Sequence, residues 1–488
     1  MKSKRKSNSG APPVQETTSP DPDFLKLPID AAYLKKAAHR RTRQDRYEAG
    51  RALRAACPRE AQAEFEVGRP RRRDPIKLLI EASVGRLEEL LPIRYGRMVA
   101  TPFAFFRGAS IIMAADLSKT PSSGYAVQAC GDCHLMNFGA FATPERNIVF
   151  DINDFDETFP APWEWDLKRL SSSFVIASRN NGHNAASARA TVNSLVNSYS
   201  RRLNKLAEMP ALSAWYSFLD YKKLIDLTAD SELKRKQRKA LDRALERDSL
   251  HEFVRLAHVV DEQPRIKDNP PLIFHHDAQN HPKYDEQVRH AMERYRESLP
   301  LERRVLLDRY ELVDTAIKVV GVGSVGTYCT IGLLFAAEND PLFLQLKEAR
   351  QSVLEPYVDF PPFPSNGERV VFGQRLMQSA SDIFLGHTIA DSGRHCYIRQ
   401  LRDVKVKPMV EIFDPANMIS YASHCGRALA DAHARSGDAA IIAGYIGKGP
   451  KFPDAIYEFS AKYAKQNELD HKALIEAIKE GVLEAQAE

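Results

Sequence analysis

The spacing of apolar residues changes character along this chain, and that constrains the fold more than any other feature. Residues 30–98, and the stretch from Asp414 onward, carry Leu, Ile, Val and Ala at helical spacing. Two other stretches, 99–200 and 311–403, contain short runs rich in β-branched and aromatic residues, bounded by Gly, Asn, Asp and Pro. That is strand and turn chemistry. The charged segment 201–310 returns to helical spacing, broken by a Pro- and Asn-rich run from Asp261 to Tyr284 that reads as a loop. An α+β protein follows, with two strand-bearing parts separated by a helical insertion.

At 488 residues the chain exceeds what one simple core organises, so two or three lobes are expected. Residues 1–28 are basic and rich in Pro and Ser, too poor in large apolar groups to order themselves. The remaining divisions are a helical leader at 29–98, a first site-bearing part at 99–200, the insertion at 201–310, a Gly-rich small lobe at 311–405 and a helical remainder at 406–488. No apolar run is long enough for a membrane span. No apolar stretch follows basic Met1–Ser7, so a secretory signal is not expected. Of six cysteines only Cys130 and Cys133 show CxxC spacing, with no second pair or His cluster nearby. Reduced thiols in a cytoplasmic protein are the expectation. Net charge is +5, and the basic runs Lys2–Lys6, Arg40–Arg46, Arg71–Arg73 and Lys234–Lys239 lack interleaved aromatics. They read as solvated faces and not as a specific nucleic-acid surface.

The densest chemical signal is QACGDCHLMNFGAFATPERNIVFDINDFDE, residues 128–157. A strand delivers Gly131-Asp132 to a tight loop, Asn137 follows, and a second strand ends at Asp151, Asn153, Asp154 and Asp156. Phosphoryl transfer needs a carboxylate to take the acceptor hydroxyl's proton, and oxygen ligands for magnesium. Strand-held Asp and Asn side chains supply both. A single such residue would more simply cap a turn. The spacing does not match an EF-hand loop.

A second signal runs from Gly321 to Lys347. Gly321, Gly323 and Gly326 have GxGxxG spacing, which fits either a Rossmann turn or a hairpin lid over a triphosphate. Thr327, Tyr328, Cys329, Thr330 and Ile331 favour a strand after the glycines, hence the hairpin. That reading puts Ser324 at the lid's tip and Lys347 on the third strand, facing phosphates. Glu355 and Glu368 are candidate acidic partners for Lys347. CYIRQLRD then enters a hinge, with Gln400, Leu401 and Arg402 near an adenine. The plainer alternative is a hairpin with bending glycines and a surface lysine.

Asp132-Cys133-His134-Leu135-Met136-Asn137 resembles the D-x-H-x-x-N catalytic loop of aminoglycoside and choline phosphotransferases, related to the D-x-x-x-x-N of protein kinases. Asp154-Phe155 resembles their D-F pair. The resemblance implies Asp132 as catalytic base with His134 beside it, Asn137, Asp154 and Asp156 as magnesium ligands, and Asp166 of PAPWEWDLKRL as a brace for the loop. Two departures stand out. Cys130 replaces the usual His or Arg, and the Asn137–Asp154 gap is long, which makes Asp151 a rival to Asp154. The Gly-rich segment also follows the catalytic loop instead of preceding it. The helix signal CGRALADAHARSGD at 425–438 comes after the hinge, so the resemblance implies a circularly permuted, two-lobed, protein-kinase-like fold.

Longer stretches, among them PFAFFRGA, CGDCHLMNFG, VFDINDFDET, PWEWDLKRL, KVVGVGSVGT, DPLFLQLKEA and AHARSGDA, resemble the bacterial domain-of-unknown-function family 2252 over about residues 45–470. The expected activity is ATP- and magnesium-dependent transfer to a hydroxyl of a small molecule or protein. Alternatives are a nucleotide-binding pseudokinase, an AMP-transferring enzyme, and a nicotinamide oxidoreductase if a helix follows Gly326. Arg107, in an apolar helix, is expected to brace Asp156 or Asp166, or to touch substrate. Trp163 and Trp165 are expected to pack, His275-His276 to bind no metal, and His433 and Asp438 to sit at a helix end near the cleft.

Overall fold

The computed structural model describes residues 42–486 apart from 69–73, 229, 247–248, 276–283, 320, 322, 338–339 and 402–403. The basic tail, the first part of the leader, His276 and Arg402 therefore lie outside the described residues. The protein is α+β. Its strands are β1 (Ala126–Ala129), β2 (Phe138–Ala142), β3 (Ile148–Ile152), β4 (Phe159–Pro162), β5 (Ala257–Val260), β6 (Gln263–Ile266), β7 (Ile273–Phe274), β8 (Glu311–Lys318), β9 (Cys329–Phe335), β10 (Pro341–Glu348), β11 (Gly386–Ile389), β12 (His395–Gln400) and β13 (Lys405–Val406).

The largest sheet is antiparallel, in the order β11-β12-β10-β9-β8-β7. The helix Asn366–Met377 leaves β10, packs on β11 and β12, and returns the chain to β11. Ser365 caps it by accepting from Glu368 N–H at 3.0 Å. Gly367 is required there, because a Cβ would lie 2.2 Å from the Cys396 carbonyl oxygen of β12.

The second body is helical and carries two small sheets, the pair β1-β4 and the trio β13-β2-β3. At its centre the helix Trp163–Asn180 is buried from Trp163 to Ser178, polar residues included. Helices Ala185–Glu208, Pro415–Ser436 and Lys451–Lys479 surround it. Gly426 lets Pro415–Ser436 cross Ala185–Glu208 closely, since a Cβ would meet the Leu195 carbonyl oxygen at 2.4 Å. Trp163 packs against Tyr199, Tyr445 and Phe452.

One expectation changes. The run from Asp261 begins as the turn of a β5-β6 hairpin, with Asp261 and Glu262 both at positive φ (48° and 64°), as a two-residue hairpin turn demands. The segment Ala-His-Val-Val before it supplies the strand. β7 from the same run then pairs with β8, so the insertion adds a strand to the main sheet. Among the described residues, no helix is long and apolar enough to cross a membrane.

Candidate functional site

β1 delivers the chain to Gly131, whose φ is 83° and whose Cβ position lies 2.2 Å from the Glu157 carbonyl oxygen. Only glycine fits. The loop then tightens through His134 N–H to Asp132 O (2.9 Å) and Asn137 N–H to His134 O (2.8 Å). Asn137 Nδ2 donates to Asp132 O at 2.7 Å, which leaves its side-chain oxygen as the free end. The loop is held from behind by Asp166. Its carboxylate accepts from Cys130 N–H (2.6 Å) and Gly131 N–H (3.0 Å). His433 hydrogen-bonds the same carboxylate at 3.2 Å and Tyr199 hydroxyl at 2.8 Å. Asp166 thus sits where a brace is needed, and His433, fully buried, completes it.

Arg169, one helical turn after Asp166, grips Asp132 itself. Its Nε and Nη2 lie 2.7 and 2.5 Å from Asp132 Oδ1, and Nη2 also donates to Phe106 O. Asp132 Oδ2 has His134 Nε2 at 3.9 Å. Burial, with Arg107 and Arg169 nearby, pushes His134 well below the usual histidine range. Its Nδ1 accepts from Met136 N–H, so the neutral ring carries its proton on Nε2, on the Asp132 side. His134 is therefore a neutral neighbour of Asp132 and not a cationic acid.

β3 ends in the second acidic set. Lys347 Nζ of β10 lies 2.6 Å from Asp156 Oδ2, Tyr397 hydroxyl of β12 donates to Oδ1 at 2.5 Å, and Ser324 Oγ is 3.4 Å from Oδ2. Burial opposes ionisation of Asp156, but Lys347, Tyr397 and Arg399 outweigh it and hold the carboxyl below its ordinary range. Burial and the neighbouring Asp156 charge push Asp154 the other way. Adjacent carboxyls driven apart in this way are suited to separate roles. Arg369, on the helix Asn366–Met377, donates to the carbonyls of Thr158 (2.6 Å), Asp156 (2.8 Å) and Arg350 (2.7 Å), and so locks the turn.

The Gly-rich loop arches over these groups. Gly321 and Gly326 have φ of 72° and 82°. Leu87 N–H donates to Gly326 O (2.8 Å), Arg86 Nη1 to Val325 O (2.6 Å), and Arg97 to Gly321 O. Beneath the loop lies a cavity of about 130 Å³. Asp132, His134, Asn137, Asp154, Asp156 and Glu157 line one side; Gly321, Gly323, Ser324 and Thr327 line another. Arg86, Arg94, Arg107 and Arg350 also reach it. Two segments 168 residues apart in sequence, at Asp156 and Ser324, therefore face one space.

A family model described as "Uncharacterized protein conserved in bacteria (DUF2252)" matches residues 86–477, which include both segments. The chain belongs to the DUF2252 family. Neither the curated proteins nor the solved structures contain a match.

In this DUF2252 chain several expected residues stand elsewhere. Lys347 is paired with Asp156, and neither Glu355 nor Glu368 is its partner; Arg369, one residue after Glu368, is the buried charged residue of that helix. Asp151 accepts from Ile152 and Ser379 N–H and does not line the cavity, which removes it as a rival to Asp154. Gly326, Lys347, Gln400 and Leu401 are not among the lining residues, Lys347 reaching the cavity wall only through Asp156. Gln400 N–H goes to Asp382 (2.5 Å) and Leu401 N–H to Phe343 O (2.9 Å). A strand, β9, and no helix follows the glycines, so the dinucleotide-binding turn lacks its helix. Arg107 bonds neither Asp156 nor Asp166, whose partners come from other elements. His275 lies between Asp268 (2.8 Å) and Asp314 (3.1 Å). Asp438 caps the next helix and pairs with Arg46. Contact with Cys133, then burial, pushes the Cys130 thiol up, and burial raises Cys133 to about 11, so both stay protonated.

Arg169, Tyr397, Arg399 and Arg369 are the groups that sequence reading misses. Arg169 had a readable signal, an Arg three residues after Asp166 on one helix face. The other three had none, because their partners are remote in sequence.

Proposed function

We propose that this DUF2252 protein transfers a phosphoryl group from ATP, with magnesium, to a hydroxyl. The observation that carries the reading is Lys347 Nζ at 2.6 Å from Asp156, under a Gly-rich loop whose Ser324 leans on the same carboxylate. A lysine on the second strand after a Gly-rich turn, with a helix following, is the small-lobe arrangement of protein kinases. The circular permutation finds support where the helix Pro415–Ser436 ends against β1. Asp438 N–H donates to Tyr125 hydroxyl at 2.7 Å, and Ser436 Oγ lies 3.5 Å from Gln128 O. A chain running from that helix straight into β1 would restore the kinase order.

Among the described residues, no three His, Cys, Asp or Glu form a metal-binding group. Magnesium commonly takes one or two protein oxygens and draws the rest from phosphate and water. The free Asn137 oxygen and Asp154 fit that mode. When bound, the ion would neutralise charge on the phosphates. Asp132 Oδ2 is the proton acceptor for the incoming hydroxyl, fixed in place by Arg169 at Oδ1. As the new P–O bond forms to the acceptor, the bond to ADP breaks. A second reading, nucleotide binding without turnover, draws on Lys347 being held by Asp156 itself, where kinases use an acid on the following helix.

The test is a thermal-shift titration with ATP, with and without magnesium, followed by a transfer assay. Mg-ATP is expected to raise the melting temperature. Asp154→Ala is expected to lose the magnesium-dependent part. Asp132→Asn is expected to keep binding and lose roughly 10²–10⁴-fold in turnover. No shift with any nucleotide would sink the proposal, and a shift without turnover would favour the second reading.

A further inference from the structure

The two sides of the cavity are neutralised unequally. Asp132 has Arg169, and Asp156 has Lys347. Glu348 has Arg394 at 3.4 Å, and Glu157 accepts from Val353 N–H at 2.8 Å. The four arginines have no such compensation. Arg86 donates to Ala82 O and Val325 O, Arg350 to Ala82 O and Val84 O, and Arg94 to Ser83 Oγ and Gly108 O. Arg107 has no hydrogen-bond partner among the described residues, and its Nε is buried without one, as is Arg94 Nε. None of the four has a carboxylate within ion-pair distance among the described residues.

Uncompensated guanidinium charge around a closed space is costly unless something anionic completes it. Burial and the charges of Arg94 and Arg350 push Arg86 down to about 9, in line with that cost. The location narrows what the anion belongs to. Arg107 feels Asp132, while the charges around Lys347 are Asp156, Tyr397, Asp154 and Arg399. Arg107 thus stands on the Asp132 side of the cavity, while Arg86 feels Glu157 and Glu348. Gly323 approaches the same Arg107, its Cβ position 3.2 Å from Arg107 O.

We propose that Arg107, with Arg86 and Arg350 beside it, forms an anion subsite for the phosphate of an already phosphorylated small acceptor. Guanidinium is the side chain whose geometry matches phosphate bidentately. About 130 Å³ takes a phosphate group and the atoms adjoining it, since one water needs only about 10–15 Å³ by that measure. The role as acceptor site rests on the transfer reading; the anion subsite itself does not.

The experiment is a binding titration of the full chain with inorganic phosphate against acetate at matched ionic strength, with and without saturating Mg-ADP. Phosphate is expected to raise the melting temperature more than acetate, and to do so equally when Mg-ADP is present. Arg107→Gln should weaken phosphate by about tenfold or more, as loss of a charge-assisted hydrogen bond does. Arg107→Lys should recover part of that, and it stands in should the Gln variant not fold. Competition between phosphate and Mg-ADP would place the ion in the nucleotide's seat and overturn the proposal. So would protection by acetate equal to that by phosphate, or phosphate binding indifferent to Arg107. If Mg-ADP gives no shift while Arg107-dependent phosphate binding persists, the subsite stands and the phosphotransfer reading fails.

Discussion

The two loops that face the cavity are held by opposite means. The loop at Asp132 is fixed from behind by Asp166, His433 and Arg169, all nearly inaccessible to water, and its supporting contacts involve charge. The loop at Gly321–Gly326 is fixed from outside, by Arg86, Arg97 and Leu87 of the leader reaching neutral backbone carbonyls. Buried charged networks are costly to break and hold geometry closely. The Arg97 contact to a backbone carbonyl is exposed, and such contacts are each worth little. One loop is thus held by a buried charged network, and the other by a few contacts from the leader.

The largest effect that bears on this contrast is expected from Asp166→Ala. The change strips two backbone N–H groups and His433 of their partner in a dry interior, so a loss of about 3–5 kcal/mol follows. Chemical denaturation measures it, and a loss under about 1 kcal/mol would mean that the loop does not depend on that brace. At the other loop, Arg97→Ala should cost no more than about 1 kcal/mol globally. It should nevertheless speed hydrogen exchange in the lid segment more than at Gly131–Asn137. Equal acceleration at both loops would erase the contrast.

How much of this was readable follows from the range of each interaction. The Gly-rich lid and the Asp132–Asn137 loop announce themselves locally, because positive φ at Gly131, Gly321 and Gly326 and an Asp-Asn pairing five residues apart are written in neighbouring positions. Asp166 was readable through its place at a helix start after a Pro-rich turn. The partner of Lys347 was not, because a helix acid and a hairpin acid 191 residues away are equally available on paper. Asp151 and Asp154, three residues apart, were separable only once Ser379 N–H was seen to claim the first. The β5-β6 hairpin escaped because its turn, Asp261-Glu262, lacks the glycine that usually marks one.

The smallest effect is expected at Glu157, whose carboxylate accepts a backbone N–H from Val353. Burial raises its carboxyl from 4.5 to about 7, with that hydrogen bond and Arg369 pulling weakly the other way. The folded chain therefore holds a proton that the unfolded chain has released between those two values. Stability from this group is fully present below about pH 4.5 and is lost as pH rises through about 7, by roughly 1–3 kcal/mol at most. Asp156, whose folded value is depressed, acts in the opposite sense and at lower pH. Glu157→Gln cannot ionise, so subtracting its melting curve from that of the native chain isolates the Glu157 contribution. Above pH 7 the native chain should fall behind the variant relative to pH 4.5. A flat difference would mean that ionised Glu157 finds a cation on folding. One lining cation that feels Glu157 is Arg86, whose own value Glu157 raises. In that event one member of the arginine wall would already be spoken for at neutral pH, and Arg107 and Arg350 would carry the anion alone.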